Sequence, residues 1–283
     1  MKKYSLYSII IVAAAFMTIS ACKRDFIIKT GFITADSSLA YVKIVDAAPY
    51  FRQVTGAADS FNVFFNGAKV NSPFMTFNSL FPISVNSSGT AGNLITNSYL
   101  AIAPGQQTIK LSVAGVVNPD SIAILSLTKT LVAGKMYSLI VTDSIKSTRD
   151  SSQIFVQDTW INPAPGYINV RLVHAVLNDT VGKTVDLYSY AKNATIFTGI
   201  KPGQATAFSA LGYNIQTPDT FYITRSGPAA ATPLSGRAIL AKLLFAPIST
   251  GAVPQKTFTL YFKGDGNLTS GAKARSLASY INY

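Results

Sequence analysis

Very few side chains in this chain could carry a reaction. His174 is the only histidine and Cys22 the only cysteine in 283 residues, and all twelve acidic residues are aspartates. General acid–base work, or a Ser-His-Asp relay, would have to run through His174, with Asp186 as its carboxylate partner. No Gly-x-Ser-x-Gly elbow surrounds any serine, and no His-Glu-x-x-His or cysteine cluster exists to hold zinc. A glycosidase needs two carboxylates facing each other across a sugar. Eight of the twelve aspartates, however, are followed directly by Ser or Thr, a pairing that suits turns because both side chains bond nearby backbone. We therefore assign no catalytic residue, no cofactor site and no metal site, and expect a protein that is not an enzyme.

Weaker patterns remain. Asp120-Ser121-Ile122, Asp143-Ser144-Ile145 and Asp179-Thr180-Val181 resemble the Asp-Ser/Thr-aliphatic sites of bacterial protein O-glycosylation, as an alternative to turns. "KGDGNLTSG" at 263–271 places Asp265, Asn267 and Thr269 at alternate positions, as a calcium loop would, but lacks its closing acidic residue. A Gly-rich hairpin accounts for it better. Most aromatics alternate along strands as core residues do. "PYFR" at 49–52 and "FMTFNSLF" at 74–81 do not. Tyr50, Phe51 and Arg52 are the candidate ligand contacts, since loops on a rigid scaffold often carry function; plugging the open end of the core is the competing role. Trp160 is expected to pack at a domain boundary.

The first residues read as an export signal: Lys2 and Lys3, then the apolar run Ile9–Met17, then Ser20 and Ala21. The run is too short for a bilayer span, which takes roughly 20 apolar residues. Ile19-Ser20-Ala21-Cys22 resembles the bacterial lipobox. That resemblance implies cleavage before Cys22, diacylglycerol on its thiol and acylation of the new amine, and two or more acyl chains hold a protein stably where one binds reversibly. No Asp directly follows the cysteine, which favours the outer membrane over inner-membrane retention. The formal charge of +12 is scattered, with no long basic run, so nucleic acid is not an expected partner.

Beyond residue 37, segments alternate with period two between Gly, Pro, Asn and Asp, and no capped helical period occurs. The expectation is all-β. The chain also repeats itself. "YVKIVDAA" at 41–48 aligns with "INVRLVHAV" at 168–176, pairing Lys43 with Arg171 and Asp46 with His174. "SFNVFFNG" at 60–67 answers "TVDLYSYA" at 184–191, and "AGKMYSLIVTDS" at 133–144 answers "PQKTFTLYFKGD" at 254–265. About seven short strands per unit favour two tandem immunoglobulin-like β-sandwich domains after a cleaved lipoprotein signal peptide. The boundaries are a signal peptide at 1–21, a lipidated tether at 22–37, sandwiches at 38–160 and 166–283, and a Pro/Gly linker at 161–165. Asn66-Gly67 is a type I′ hairpin signal, with Phe61, Val63 and Phe65 on one face and Asn62 and Phe64 on the other.

"AYVKIVDAAPYF…ADSFNVFFNG" and "INVRLVHAVLNDTVGKTVDLYSY" resemble the opening of the bacterial domain of unknown function numbered 4397. His174 and Asp186 fall on that family's Val-His-Ala and Val-Asp-Val-Tyr elements; Asp46 and Asn62 stand there in the first unit. The resemblance implies an exported β-sandwich, often in tandem and often on a lipoprotein, with no established activity. The expected role is thus a non-enzymatic cell-envelope lipoprotein, anchored in a membrane and presenting loops for adhesion or for binding glycan or an envelope protein. The alternatives are a polysaccharide-handling accessory of an outer-membrane uptake system and a hydrolase using His174.

Overall fold

The computed structural model describes residues 36–49, 60–71, 74–82, 99–113, 123–142, 153–179, 183–214, 217–227, 234, 236–245 and 256–282. Cys22 and the Tyr50-Phe51-Arg52 triplet lie outside the described residues, as do Asp120 and Asp143. Every regular element among those described is a strand, as the β-branched and aromatic composition demands.

The first half contains β1 (Ala40–Asp46), β2 (Ser60–Phe65), β3 (Ala68–Lys69), β4 (Met75–Thr76), β5 (Leu80–Phe81), β6 (Leu100–Ile102), β7 (Gly105–Val113), β8 (Ala123–Leu131), β9 (Met136–Val141) and β10 (Ile154–Gln157). The second contains β11 (Tyr167–His174), β12 (Val185–Ser189), β13 (Ala194–Ile200), β14 (Ser209–Gly212), β15 (Asp219–Arg225), β16 (Ile239–Phe245), β17 (Thr257–Lys263) and β18 (Ser276–Ile281). Each half is a two-sheet sandwich. One sheet of the first has the order β10-β9-β1-β5, with β6 also on β1, and faces β3-β2-β7-β8, with β4 also on β2. The second pairs β14-β11-β17-β18 with β13-β12-β15-β16.

The repeat read from the sequence holds strand by strand. The opening strand of each half runs parallel to the penultimate one, Tyr41 opposite Met136 in the first and Asn169 opposite Thr257 in the second. The closing strand then pairs antiparallel with that penultimate strand. Alternation decides the cores. Val42, Ile44, Phe61, Val63, Phe65, Ile109 and Leu111 fill the first; Val170, Leu172, Val185, Leu187, Phe221 and Ile223 fill the second. Asn66 (φ 46°) and Gly67 (φ 83°) form the expected hairpin turn, with Phe65 opposite Ala68. Asn62 and Phe64 do face away from the core, yet both are buried.

A third apolar cluster lies between the two sandwiches, where Val45, Ile140 and Ile154 meet Val173, Tyr261 and Tyr280. The sheets carrying β1 and β11 therefore pack face to face, and the sheets carrying β2 and β12 are outermost. Polar groups set within that contact obey the repeat. Lys43 Nζ stands 4.5 Å from the Tyr99 ring centroid, and Arg171 Cζ 4.6 Å from that of Phe208. Each cation also crosses to the closing strand of the other sandwich: Lys43 donates to the Ile281 carbonyl (2.6 Å), and Arg171 pairs with Asp158 just past β10 (2.5 Å). Asp158 further accepts from Tyr99 and Ser138, while its counterpart Asn282 accepts from Thr259 and donates to Tyr99. This is the reciprocal pattern of a two-fold interface, made within one chain. Trp160 packs edge-on against Phe208 at this boundary, ring centroids 6.1 Å apart.

Candidate functional site

The sequence-predicted pairing of His174 with Asp186 does not form. His174 is wholly buried, and the carboxylate it faces is Asp179, 3.7 Å from Nε2. That is too long for a hydrogen bond. Among the described residues neither ring nitrogen has a hydrogen-bond partner, and the ring packs on Phe262. Burial pushes its pKa down to about 4, opposed by Asp179 and reinforced by Arg225. Asp179 is held by both Arg225 guanidinium nitrogens. Asp186 lies on β12 instead, accepting from the Gly199 amide, Ser226 and Arg237. Among the described residues, the imidazole is thus enclosed by an apolar ring and by a carboxylate already held by Arg225.

Of the described Asp-Ser/Thr pairs only Asp36 makes a local turn; Asp158 and Asp179 are buried ion-pair partners, and Asp219 on β15 anchors a turn elsewhere in the chain. Asp36 accepts from the Ser38 amide and hydroxyl. Asp219 accepts from Ser189 and the Ala191 amide. Asp179 is buried and paired with Arg225, and the Thr180 and Val181 of that site lie outside the described residues. Asp265 accepts from Asn178 and from the Asn267 amide, within the Gly-rich loop.

The exposed chemistry lies on the outer sheet of the second sandwich. β12 alternates Val185 and Leu187 into the core with Asp186 and Tyr188 outward. Tyr190 extends that outward row, its amide bonded to the Thr220 carbonyl. β15 alternates Phe221 and Ile223 inward with Tyr222 outward, directly opposite Tyr188 and Lys242. The Tyr222 ring centroid lies 6.4 Å from those of both Tyr188 and Tyr190. Tyr190 is 65% exposed and Leu244, opposite Thr220, 67% exposed. Three tyrosines, a leucine and a lysine thus share one open, rigid face.

Beside this face is a cleft of about 200 Å3 between the 190–193 turn and the end of β14. The turn is tightly held: Asp219 fixes the Ala191 amide (2.8 Å), Ser189 Oγ accepts from the Lys192 amide (3.1 Å), and the Tyr188 hydroxyl donates to Asn193 (2.6 Å). Asn193 sits at φ 48°, a left-handed position that asparagine tolerates. Lys192 lies across Gly212; a Cβ there would meet Lys192 Nζ and the Tyr167 ring, each at 3.6 Å.

None of Tyr188, Tyr190, Lys192 and Tyr222 stood out in the sequence, because aromatics alternating along strands look like core. The signal was the phase. In "TVDLYSYA" the tyrosines share the parity of Asp186, and in "TFYITR" Tyr222 shares that of Thr224, the face opposite Val185, Leu187, Phe221 and Ile223.

Fold and surface together describe a tandem immunoglobulin-like β-sandwich protein. Its residues 40–181 match the family described as Domain of unknown function (DUF4397), and the chain belongs to that family. The match covers the first sandwich and enters the second through β11. No curated protein matches the chain. It is similar to a solved streptococcal protein described under "Alpha-glucan binding by a streptococcal virulence factor", at 11% identity over 86% of this chain and 97% of that one, TM-score 0.23. It is likewise similar to a family 26 carbohydrate-binding module from Eubacterium rectale Amy13K in complex with maltoheptaose, at 12% identity over 86% and 96%, TM-score 0.20. A leucine-rich repeat protein from Bacteroides thetaiotaomicron matches at 12% identity over 73% and 24%, TM-score 0.16. Likenesses of this size carry no functional argument.

Proposed function

We propose that this protein is a non-enzymatic glycan-binding protein of the bacterial cell envelope, held to a membrane, most simply the outer membrane, through acylated Cys22. The observation that carries the reading is the open tyrosine face, Tyr190 and Tyr222 above the buried Tyr188. The exposed Tyr190 ring at the end of β12, beside the half-buried Tyr222 on β15, offers flat apolar surface, and a pyranose ring presents a matching C–H face. The role of Tyr50, Phe51 and Arg52 as ligand contacts belongs to this proposal as a second surface, on the first sandwich.

The test is a glycan array probed with the full-length protein in detergent. Saturable binding to a polysaccharide that is weakened about tenfold or more in Tyr190→Ala and Tyr222→Ala is the expected result. No binding to any glycan, or binding indifferent to both substitutions, overturns it. The anchor is tested separately by metabolic labelling with an alkyne fatty acid: label that persists in Cys22→Ser removes the lipid from the proposal.

A further inference from the structure

We propose that the cleft beside the tyrosine face selects an acidic sugar, with Lys192 receiving the carboxylate of a uronic acid while the adjoining residues of the glycan lie on Tyr190 and Tyr222. This rests on the glycan-binding reading above and adds the charge of the ligand. Three observations carry it. The first is an ammonium with nothing to do. Among the described residues, Lys192 engages only through its backbone amide, and its Nζ lies against Gly212, where the missing side chain leaves it room.

The second is the absence of a competing acid in the same place. Asp219 is the one carboxylate among the described residues lining the cleft. Both its oxygens are turned into the 190–193 turn, on Ser189 and Ala191, and its side chain is buried. The remaining polar lining among the described residues, Tyr213, Asn214 and Thr217, is uncharged. An incoming anion therefore meets one unneutralised cation and no exposed carboxylate.

The third is size and position. At about 200 Å3 the cleft is smaller than the ~300–1,000 Å3 of pockets for drug-sized ligands, so it takes one sugar unit rather than a chain segment. Tyr190 immediately precedes the cleft residues Ala191 and Lys192, and Lys242 stands beside Tyr222. A polymer whose charged units recur would thus find cations flanking the rings on which its apolar faces lie. The hydrogen bonds of the turn fix where the Lys192 side chain starts, at the rim of the cleft.

The experiment compares polygalacturonate with its methyl-esterified form, the same backbone with the charge removed. Binding to full-length protein is measured at low and at physiological salt, for wild type, Lys192→Gln and Tyr190→Ala. Polygalacturonate should bind roughly tenfold or more tighter than the ester, as a charge-assisted hydrogen bond permits, and Lys192→Gln should erase that preference, bringing acid and ester to the same affinity. Equal binding of acid and ester, with both lost in Tyr190→Ala, overturns the acidic-sugar inference and leaves the glycan reading standing. A preference for the acid that survives Lys192→Gln and vanishes with salt also overturns it, since the net charge alone would then explain the preference. Binding of neither form at either salt overturns it too, and the glycan array then decides whether the broader reading falls with it.

Discussion

The two sandwiches share one topology and one register but turn different chemistry outward. On the outer sheet of the first, Phe64, Lys110, Ser126 and Thr128 occupy the places held in the second by Tyr188, Tyr222, Lys242 and Leu244. Lys110 lies over the Phe64 ring, Nζ 5.7 Å from its centroid, and Lys69 over that of Phe74, 5.2 Å from its centroid. The turns differ as well. Asn66 is spent inside a two-residue hairpin, accepting from the Thr108 amide and donating to Gln107. Its counterpart Tyr190 opens a four-residue turn and stays exposed. Two extra turn residues and an exchange of lysine for tyrosine convert a closed polar face into an open aromatic one with a cleft beside it. Between the sandwiches the opposite holds: counterparts keep equivalent roles, because each must fit against the other.

The largest effect should come from that shared contact, where the symmetry is broken at one point. Asp158 is a carboxylate and its counterpart Asn282 is not, so two buried cations share one anion. Arg171→Met strands Asp158 away from water and should cost about 3–5 kcal/mol, the usual result of removing one partner of a buried pair. Lys43→Met removes a cation that donates to the Ile281 carbonyl, lies over the Tyr99 ring and is repelled by Arg171, and should cost less because it leaves Asp158 its Arg171 partner. Chemical denaturation of both variants and of Arg171→Met/Asp158→Asn checks this. The double variant should recover most of the loss; equal losses for Arg171→Met and Lys43→Met would mean that the two sites are interchangeable after all.

Next in size is the contrast between the outer faces. Tyr222→Ala should weaken glycan binding about tenfold, the scale of an interface anchor, while Lys110→Ala at the corresponding place should leave it unchanged. Titration of the polysaccharide identified on the array reads both. A loss on Lys110→Ala equal to that on Tyr222→Ala would move the binding surface to the first sandwich, or spread it over both.

A smaller, pH-dependent effect separates Lys43 from Arg171. Burial lowers the Lys43 pKa to about 7 from 10.5, Asp158 opposing and Arg171 reinforcing. Between those values the unfolded chain binds a proton that the folded chain lacks, so stability rises with pH across this window. Lys263, lowered by burial to about 8, adds to the same limb. Above the ordinary tyrosine value the sign reverses, because burial raises the pKa of Tyr99, Tyr261 and Tyr280 and the folded chain keeps protons that the unfolded chain has lost. Denaturation midpoints measured from pH 7 upwards should therefore rise and then fall. Lys43→Met should flatten the rising limb down to the Lys263 share; an unchanged limb would show that Lys43 is hydrated in solution.

Much of this could be read before any coordinates. The drift in offset between the repeats, 128 residues at β1 and β11 but 121 at β9 and β17, is the same drift that separates the strand pairs Tyr41–Met136 and Asn169–Thr257. Alternation sorted Phe61, Val63 and Phe65 from Asn62 and Phe64 because a pleated strand leaves no other choice. What alternation does not say is what lies above the second face. Lys43 and Arg171 have the parity of solvent-facing residues, and only the packing of sheet on sheet makes them interior. Tyr188 and Tyr190 have that parity too, and nothing among the described residues covers Tyr190. The pairing of His174 with Asp186 failed for a related reason: proximity at strand ends depends on the path of the connecting loop, which brought Asp179 back over the ring and sent Asp186 to Arg237.

The smallest effect distinguishes the strand ends that carry Asp46 and His174. Asp46 accepts from the Ala48 amide (2.9 Å), a local turn, whereas His174 closes its end by packing, its ring on Phe262. The imidazole should accordingly stay neutral through physiological pH. As the only histidine in the chain, it gives a single ring signal whose titration can be followed by NMR without assignment. The midpoint should fall near 4, not near the ordinary 6.5. Because the folded pKa is the lower one, stability should rise with pH between these values and be lost as the pH falls through them. A midpoint of 6 or above would mean that water reaches the ring, and the end of the second sandwich would then be an open site for His174 chemistry.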